Sequence, residues 1–184
     1  RRPLVVMTPK SLLRHPLSTS SLEDLMRGGL QLVIEEIDDL GATPVRRVVL
    51  CSGKVYFDLL RARRERKIDD IAILRIEQLY PFPRKTLKRI LEKYTDANEL
   101  VWCQEEPRNQ GAWYQIRHHL RVSKQPGMEL GYAGRAPSAS PACGNARLHA
   151  LQQQDLVDRA LSGETVDDPG ERLQDTEMHW QTPF

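Results

Sequence analysis

The sequence predicts an α/β domain: a mostly parallel, twisted sheet with helices on both faces, followed by a C-terminal tail. Three observations carry this. The runs VVLCS (48–52), IAILRI (71–76) and LVWCQ (100–104) are almost continuously apolar, as strands buried on both faces are. Segments of helical period separate them, long enough for right-handed βαβ crossovers. Finally, 184 residues with 40% hydrophobic and 28% charged side chains is ordinary globular composition. It is enough for one domain with a proper core plus a tail.

In chain order, PLVVM (3–7) reads as a strand. SSLEDLMRG (20–28) reads as a helix with a capping pair, Ser20 and Glu23, stopped at Gly28-Gly29. VRRVVLCSG (45–53) is a strand. The helix that follows, 54–67, carries Val55, Leu59 and Ala62 on one side. IAILRI is the next strand. Residues 83–94 form a helix with Pro83 in its first turn and Leu87, Ile90, Leu91 and Tyr94 at helical spacing. ELVWCQ (99–104) is a central strand, 111–122 a helix, and MELGYAG (128–134) a short edge strand. The last helix spans 145–161. These elements make up one domain, 1–161. Residues 162–184 are acidic, broken by Gly and Pro, and read as a flexible tail in which Trp180 and Phe184 are apolar anchors.

Several function classes fall away. A net charge of +2 is too small to point to nucleic acid, and no apolar run approaches membrane-spanning length. Arg1 leads directly into an apolar run without a signal-peptide pattern, and a chain opening on Arg reads as a piece of a longer or processed polypeptide. Cys51, Cys103 and Cys143 lack metal spacing and read as core thiols of a reducing compartment, the bacterial cytoplasm or alternatively a mitochondrial matrix. The five histidines show no metal spacing, and no dinucleotide, zinc or catalytic-triad pattern occurs.

Ligands of parallel sheets gather at the carboxyl ends of strands, and three segments fall there. In CSGK (51–54) a helix start could hold an anion with help from Lys54, although P-loop spacing is missing. In RIEQLYPFP (75–83) Glu77 follows a strand directly, with Arg75 in reach as a partner. In QEEPRNQGAW (104–113) Glu105 and Glu106 end the strand, and Asn109 is placed to cap the next helix. Adjacent residues of an extended chain point to opposite sides, so Glu105 and Glu106 make a poor general-acid pair. A strand-to-helix turn explains most of this loop, and the alternative is that one of the two carboxylates anchors a loop of a neighbouring chain.

Five stretches together resemble one family: RRPLVVMTPKSLLRHP, RVVLCSGKVYFDL, IAILRIEQLYPFP, WCQEEPRNQGAW and YAGRAPSASPA followed by QQQDLV. They are similar to the thiamine-diphosphate-dependent decarboxylating component of 2-oxoglutarate dehydrogenase, over its C-terminal, transketolase-like domain, and cover residues 1–161. The resemblance implies oxidative decarboxylation of 2-oxoglutarate and succinyl transfer to a lipoyl group, within the tricarboxylic acid cycle. Thiamine diphosphate and Mg2+ would be bound by domains outside this chain, and no residue here would be catalytic or hold metal. Implied partners are the remaining domains of the subunit, a second copy, the lipoyl-bearing succinyltransferase and dihydrolipoyl dehydrogenase. Glu77, Glu105, Glu106, Asn109, Gly111 and Trp113 would serve a structural or interface loop. Tyr80, Phe82, Trp113 and Tyr114 would form an exposed patch. Arg14, Lys54, Gln110 and Arg135 would be positions for an acetyl-CoA-like effector. A 2-oxoadipate-type decarboxylase domain and a free-standing binding module of transketolase-like fold are the alternatives.

Overall fold

The computed structural model of the protein describes residues 2–162 and 166–167. Its centre is a sheet built on four parallel strands, β2 (Arg47–Cys51), β3 (Ile71–Ile76), β4 (Glu99–Pro107) and β5 (Glu129–Arg135). β1 (Val33–Ile34) and β6 (Val166–Asp167) flank them antiparallel, giving the order β1-β3-β2-β4-β5-β6. Register follows from chain direction: Val49 lies opposite both Ile73 and Val101.

Alternation along the strands divides the core in two. Val48, Leu50, Leu74 and Trp102 point to one face, under α3 (Arg84–Leu91) and α4 (Trp113–Ser123). Val49, Cys51, Ile73 and Cys103 point to the other, under α2 (Val55–Arg66) and α5 (Ala146–Ser162). Both faces are therefore covered, as the continuous apolar runs require. Cys51 and Cys103 are buried free thiols whose pKa burial drives upward.

Two buried arginines bolt the periphery to the sheet. Arg63 of α2 reaches Glu36, Asp38 (2.7 Å) and the Ile71 carbonyl (2.9 Å). Arg47 of β2 reaches Glu99 (2.7 Å) and the carbonyls of Arg159 and Ala160 at the end of α5. Both of these guanidinium groups have a carboxylate, which is what makes their burial tolerable.

Four expectations need correction. Residues 3–7 are not a strand: no neighbour pairs with them among the described residues, and Leu4, Val5, Val6 and Met7 are exposed. The helix expected at 20–28 is α1 (Leu22–Arg27), with Ser21 and Asp24 forming the capping box instead of Ser20 and Glu23. Ser21 wins because its hydroxyl lies 3.0 Å from the Asp24 N–H and Asp24 answers it. β5 is not an edge: it lies between β4 and β6, with Gly131–Arg135 buried. β1 was unreadable because two residues carry no period. Val166 and Asp167, in the stretch read as tail, pair with Tyr132 and Gly131. Trp180 and Phe184 lie outside the described residues.

Candidate functional site at the strand ends

The chain leaves β2 toward β3 and leaves β4 toward β5, in opposite directions along the sheet. The crevice between these two strand ends is where open α/β sheets usually place a ligand. Here it holds only 270 Å3, between Ser52 and Gly53 on one side and Gln104, Glu106 and Gly111 on the other.

The reason is Gln104, a residue that sequence reasoning passed over. Its buried amide oxygen accepts from Trp102 Nε1 (2.9 Å) and from the Trp113 backbone N–H (3.1 Å), the first residue of α4. Its amide nitrogen donates to the carbonyls of Glu106 (3.3 Å), Pro107 (3.2 Å) and Gln110 (2.8 Å). One side chain thus uses both lone pairs and both hydrogens to fold the turn around itself. Gly111 is needed there: its φ is +64°, and a Cβ would sit 2.9 Å from Gln104 Nε2. The available signal was a lone amide ending an apolar strand, three residues before a proline.

Asn109 does not cap α4, whose N-cap is Ala112. The Gln104 oxygen already satisfies the first N–H. Asn109 instead exchanges two 2.9 Å hydrogen bonds with the Ser138 backbone, and Gln110 donates to Ser138 as well (3.0 Å). The two amides clasp the loop after β5. Trp113 is not part of an exposed patch: it is fully buried against Tyr132, ring centres 5.0 Å apart. Phe82 is half-buried and stacks on His119, whereas Tyr80 and Tyr114 are exposed.

Glu105 and Glu77 have basic partners. Glu105 meets Lys54 at 2.8 Å, and Lys54 also meets Asp58 at 3.1 Å. Burial works against the Lys54 ammonium, but these two acids outweigh it and hold its pKa above the ordinary value. Glu77 pairs with Arg75 (2.6 Å), whose guanidinium lies over the Tyr56 ring, and Glu77 itself is exposed. Glu106 is exposed on the opposite side from Glu105. Gln153 of α5 ties the cluster together, donating to Glu105 (2.9 Å) and Asp58 (3.0 Å) and accepting from Arg135 (3.0 Å). So Lys54 and Arg135 join one network, Gln110 holds the neighbouring loop, and Arg14 is exposed beside His15, which packs near Phe57.

This donor set does not suit a magnesium diphosphate. Among the described residues no three His, Cys, Asp or Glu side chains converge as metal ligands. Glu105 and Asp58 are already engaged by Lys54, and Glu77 by Arg75.

The sequence model of the family described as "2-oxoglutarate dehydrogenase C-terminal" matches residues 19–161. The chain belongs to that family. Its members among curated proteins include the 2-oxoglutarate dehydrogenase E1 components of Haemophilus influenzae, 56% identical over 162 residues, and Coxiella burnetii, 53% identical over 163. The likeness covers 88% of this chain in both cases. The same domain spans only 17% and 18% of those relatives. Among solved structures, a split-gene transketolase described as an inactive β4 tetramer aligns with a TM-score of 0.45 at 13% identity, over 63% of this chain and 39% of that one.

Proposed function

We propose that this domain is the C-terminal supporting part of a 2-oxoglutarate dehydrogenase E1 subunit. In that subunit the thiamine cofactor decarboxylates 2-oxoglutarate and passes the succinyl group to a lipoyl carrier. The observation that carries this reading is the family match across 19–161, joined to identities of 50% or more with several E1 components. Thiamine diphosphate and magnesium would be held by the rest of the subunit, and the strand ends here brace the fold beside them.

Surface character supports the reading. Leu4, Val5, Val6 and Met7 are 67–90% exposed, and Leu22, Leu25, Met26 and Leu30 are 73–83% exposed. Contiguous apolar surface of this kind is normally covered by protein. The remaining domains of the same subunit and a second copy are the partners proposed for it, with the lipoyl-bearing and dihydrolipoyl dehydrogenase components meeting the assembled complex.

The test is a complementation assay. Dye reduction dependent on 2-oxoglutarate would be followed with this chain alone, with the preceding part of the subunit alone, and with both, always with thiamine diphosphate and Mg2+. Activity confined to the last sample is the expected result. Turnover by this chain alone would overturn the proposal.

A further inference from the structure

Two thiols lie side by side in the middle of the sheet. Cys51 ends β2, and Cys103 is its register partner on parallel β4. Both side chains enter the same core, under α2 and α5, and both are fully buried free thiols. Neighbouring strands run about 4.8 Å apart, inside the roughly 4.4–6.8 Å range of Cα separations that a disulfide spans. The Cys51 thiol donates weakly to the Leu74 carbonyl of β3 at 3.8 Å, so a rotation about its Cα–Cβ bond is needed to aim it at Cys103. Packing alone does not ask for sulfur at both positions. Val49 and Val101, the register pair two residues earlier, fill the same core with plain aliphatic side chains.

In the closed fold the pair is inert. Burial pushes both thiol pKa values up, and the nearby Glu105 carboxylate adds to it, while the Arg75 guanidinium offsets only part of this at Cys51. The thiolate that would attack an oxidant is therefore suppressed. A large part of the seal is α5, which packs on β4 and β5. Its buried residues, Leu156, Val157, Ala160 and Leu161, all lie in its second half. Arg47 adds hydrogen bonds to the carbonyls of Arg159 and Ala160. A cover held by one apolar patch and a few polar ties can open locally at less cost than global unfolding.

We propose that Cys51 and Cys103 are a latent cross-strand disulfide, a modification site that hydrogen peroxide closes when α5 lifts from the sheet. One thiolate attacks a peroxide oxygen and breaks the O–O bond, giving a sulfenic acid and a hydroxide that is protonated to water. The second thiol sulfur then bonds to the first and displaces the sulfenic oxygen as a second water. The two sulfurs lose two electrons, the peroxide gains them, and both thiol protons leave in the water formed. The bond staples β2 to β4, the two central strands. The site stands apart from the proposed decarboxylation and does not depend on it.

The intact subunit would be treated with hydrogen peroxide, without urea and with urea below its unfolding transition. It would then be alkylated, digested and mapped by mass spectrometry without reduction. A linked Cys51–Cys103 peptide pair is expected, lost on adding dithiothreitol, with a yield that rises about tenfold or more in urea. Leu156→Ala removes a buried side chain of α5 and should raise the yield even without urea. No linked pair below the unfolding transition would overturn the site. So would bridges from Cys143, the thiol in the loop before α5, in comparable yield. A yield that responds neither to urea nor to Leu156→Ala would overturn the part given to α5.

Discussion

Two apolar runs of nearly the same composition meet opposite fates in this chain. Val48, Val49, Leu50 and Cys51 in β2 are fully buried, while Leu4, Val5, Val6 and Met7 are 67–90% exposed. Both runs are rich in β-branched and aliphatic residues, so both satisfy the local rule for a strand. The difference lies in partners. β2 has β3 on one side and β4 on the other, in register over five residues each. Residues 3–7 find no such neighbours among the described residues. Apolar composition makes a segment able to pair; topology decides whether it does.

The comparison can be broken by placing the same charge in both runs. Leu50→Asp should cost more than about 4 kcal/mol, because an unpaired carboxylate replaces a core side chain at the sheet centre. Chemical denaturation of this chain should show it largely unfolded. The turn around Gln104 gives the next largest effect. Gln104→Leu keeps similar bulk and removes five hydrogen bonds, leaving buried groups such as Trp102 Nε1 and the Trp113 N–H without partners. A loss of about 2–4 kcal/mol is expected, with amide exchange accelerated first across 104–116.

Asp38 sharpens the comparison through pH. Hydrogen bonding from Arg64, working against a burial penalty and aided by Arg63, lowers its pKa from 3.8 to about 2. A depressed folded-state pKa means stability that is fully present above the unfolded value and lost as the pH falls through the folded one. This tie, which fastens the segment after β1 to α2, should therefore contribute on the order of 2 kcal/mol at neutral pH and lose it between about pH 4 and pH 2. Asp38→Asn should flatten that part of the acid denaturation curve. The smallest effect belongs to the arm: Val5→Asp should change the stability of this chain by less than about 0.5 kcal/mol. A large loss there would mean that residues 3–7 are packed after all.

Much of this fold was legible because central strands and their helices carry long, strong patterns. VVLCS, IAILRI and LVWCQ became β2, β3 and β4 in a mostly parallel sheet, and 54–67 became α2. What failed was decided at a distance. The run at 3–7 lacked partners, the two-residue β1 has no period to read, and the capping box moved by one residue because Ser21 and Asp24 have the better mutual geometry. At the strand ends, the Glu77–Arg75 pair follows from spacing alone, since Glu77 comes just after β3 and two residues beyond Arg75. The Glu105–Lys54 pair joins the end of β4 to the start of the helix after β2 and could be known only after β2 and β4 were paired. Gln104 was missed for a related reason: a buried amide shows its value only through its partners, and these lie on both sides of a turn.

The claim at the centre of this account is that the strand-end carboxylates brace the domain and do not carry out chemistry. Glu105→Gln in the intact subunit tests it most directly, because the change keeps the shape and removes the charge that Lys54 and Gln153 share. The account predicts a lower melting temperature with kcat per folded subunit within about twofold of the parent, a difference well under 1 kcal/mol in barrier height. An unchanged melting temperature with kcat reduced by about a hundredfold or more, the scale expected when a general acid or base is removed, would contradict it.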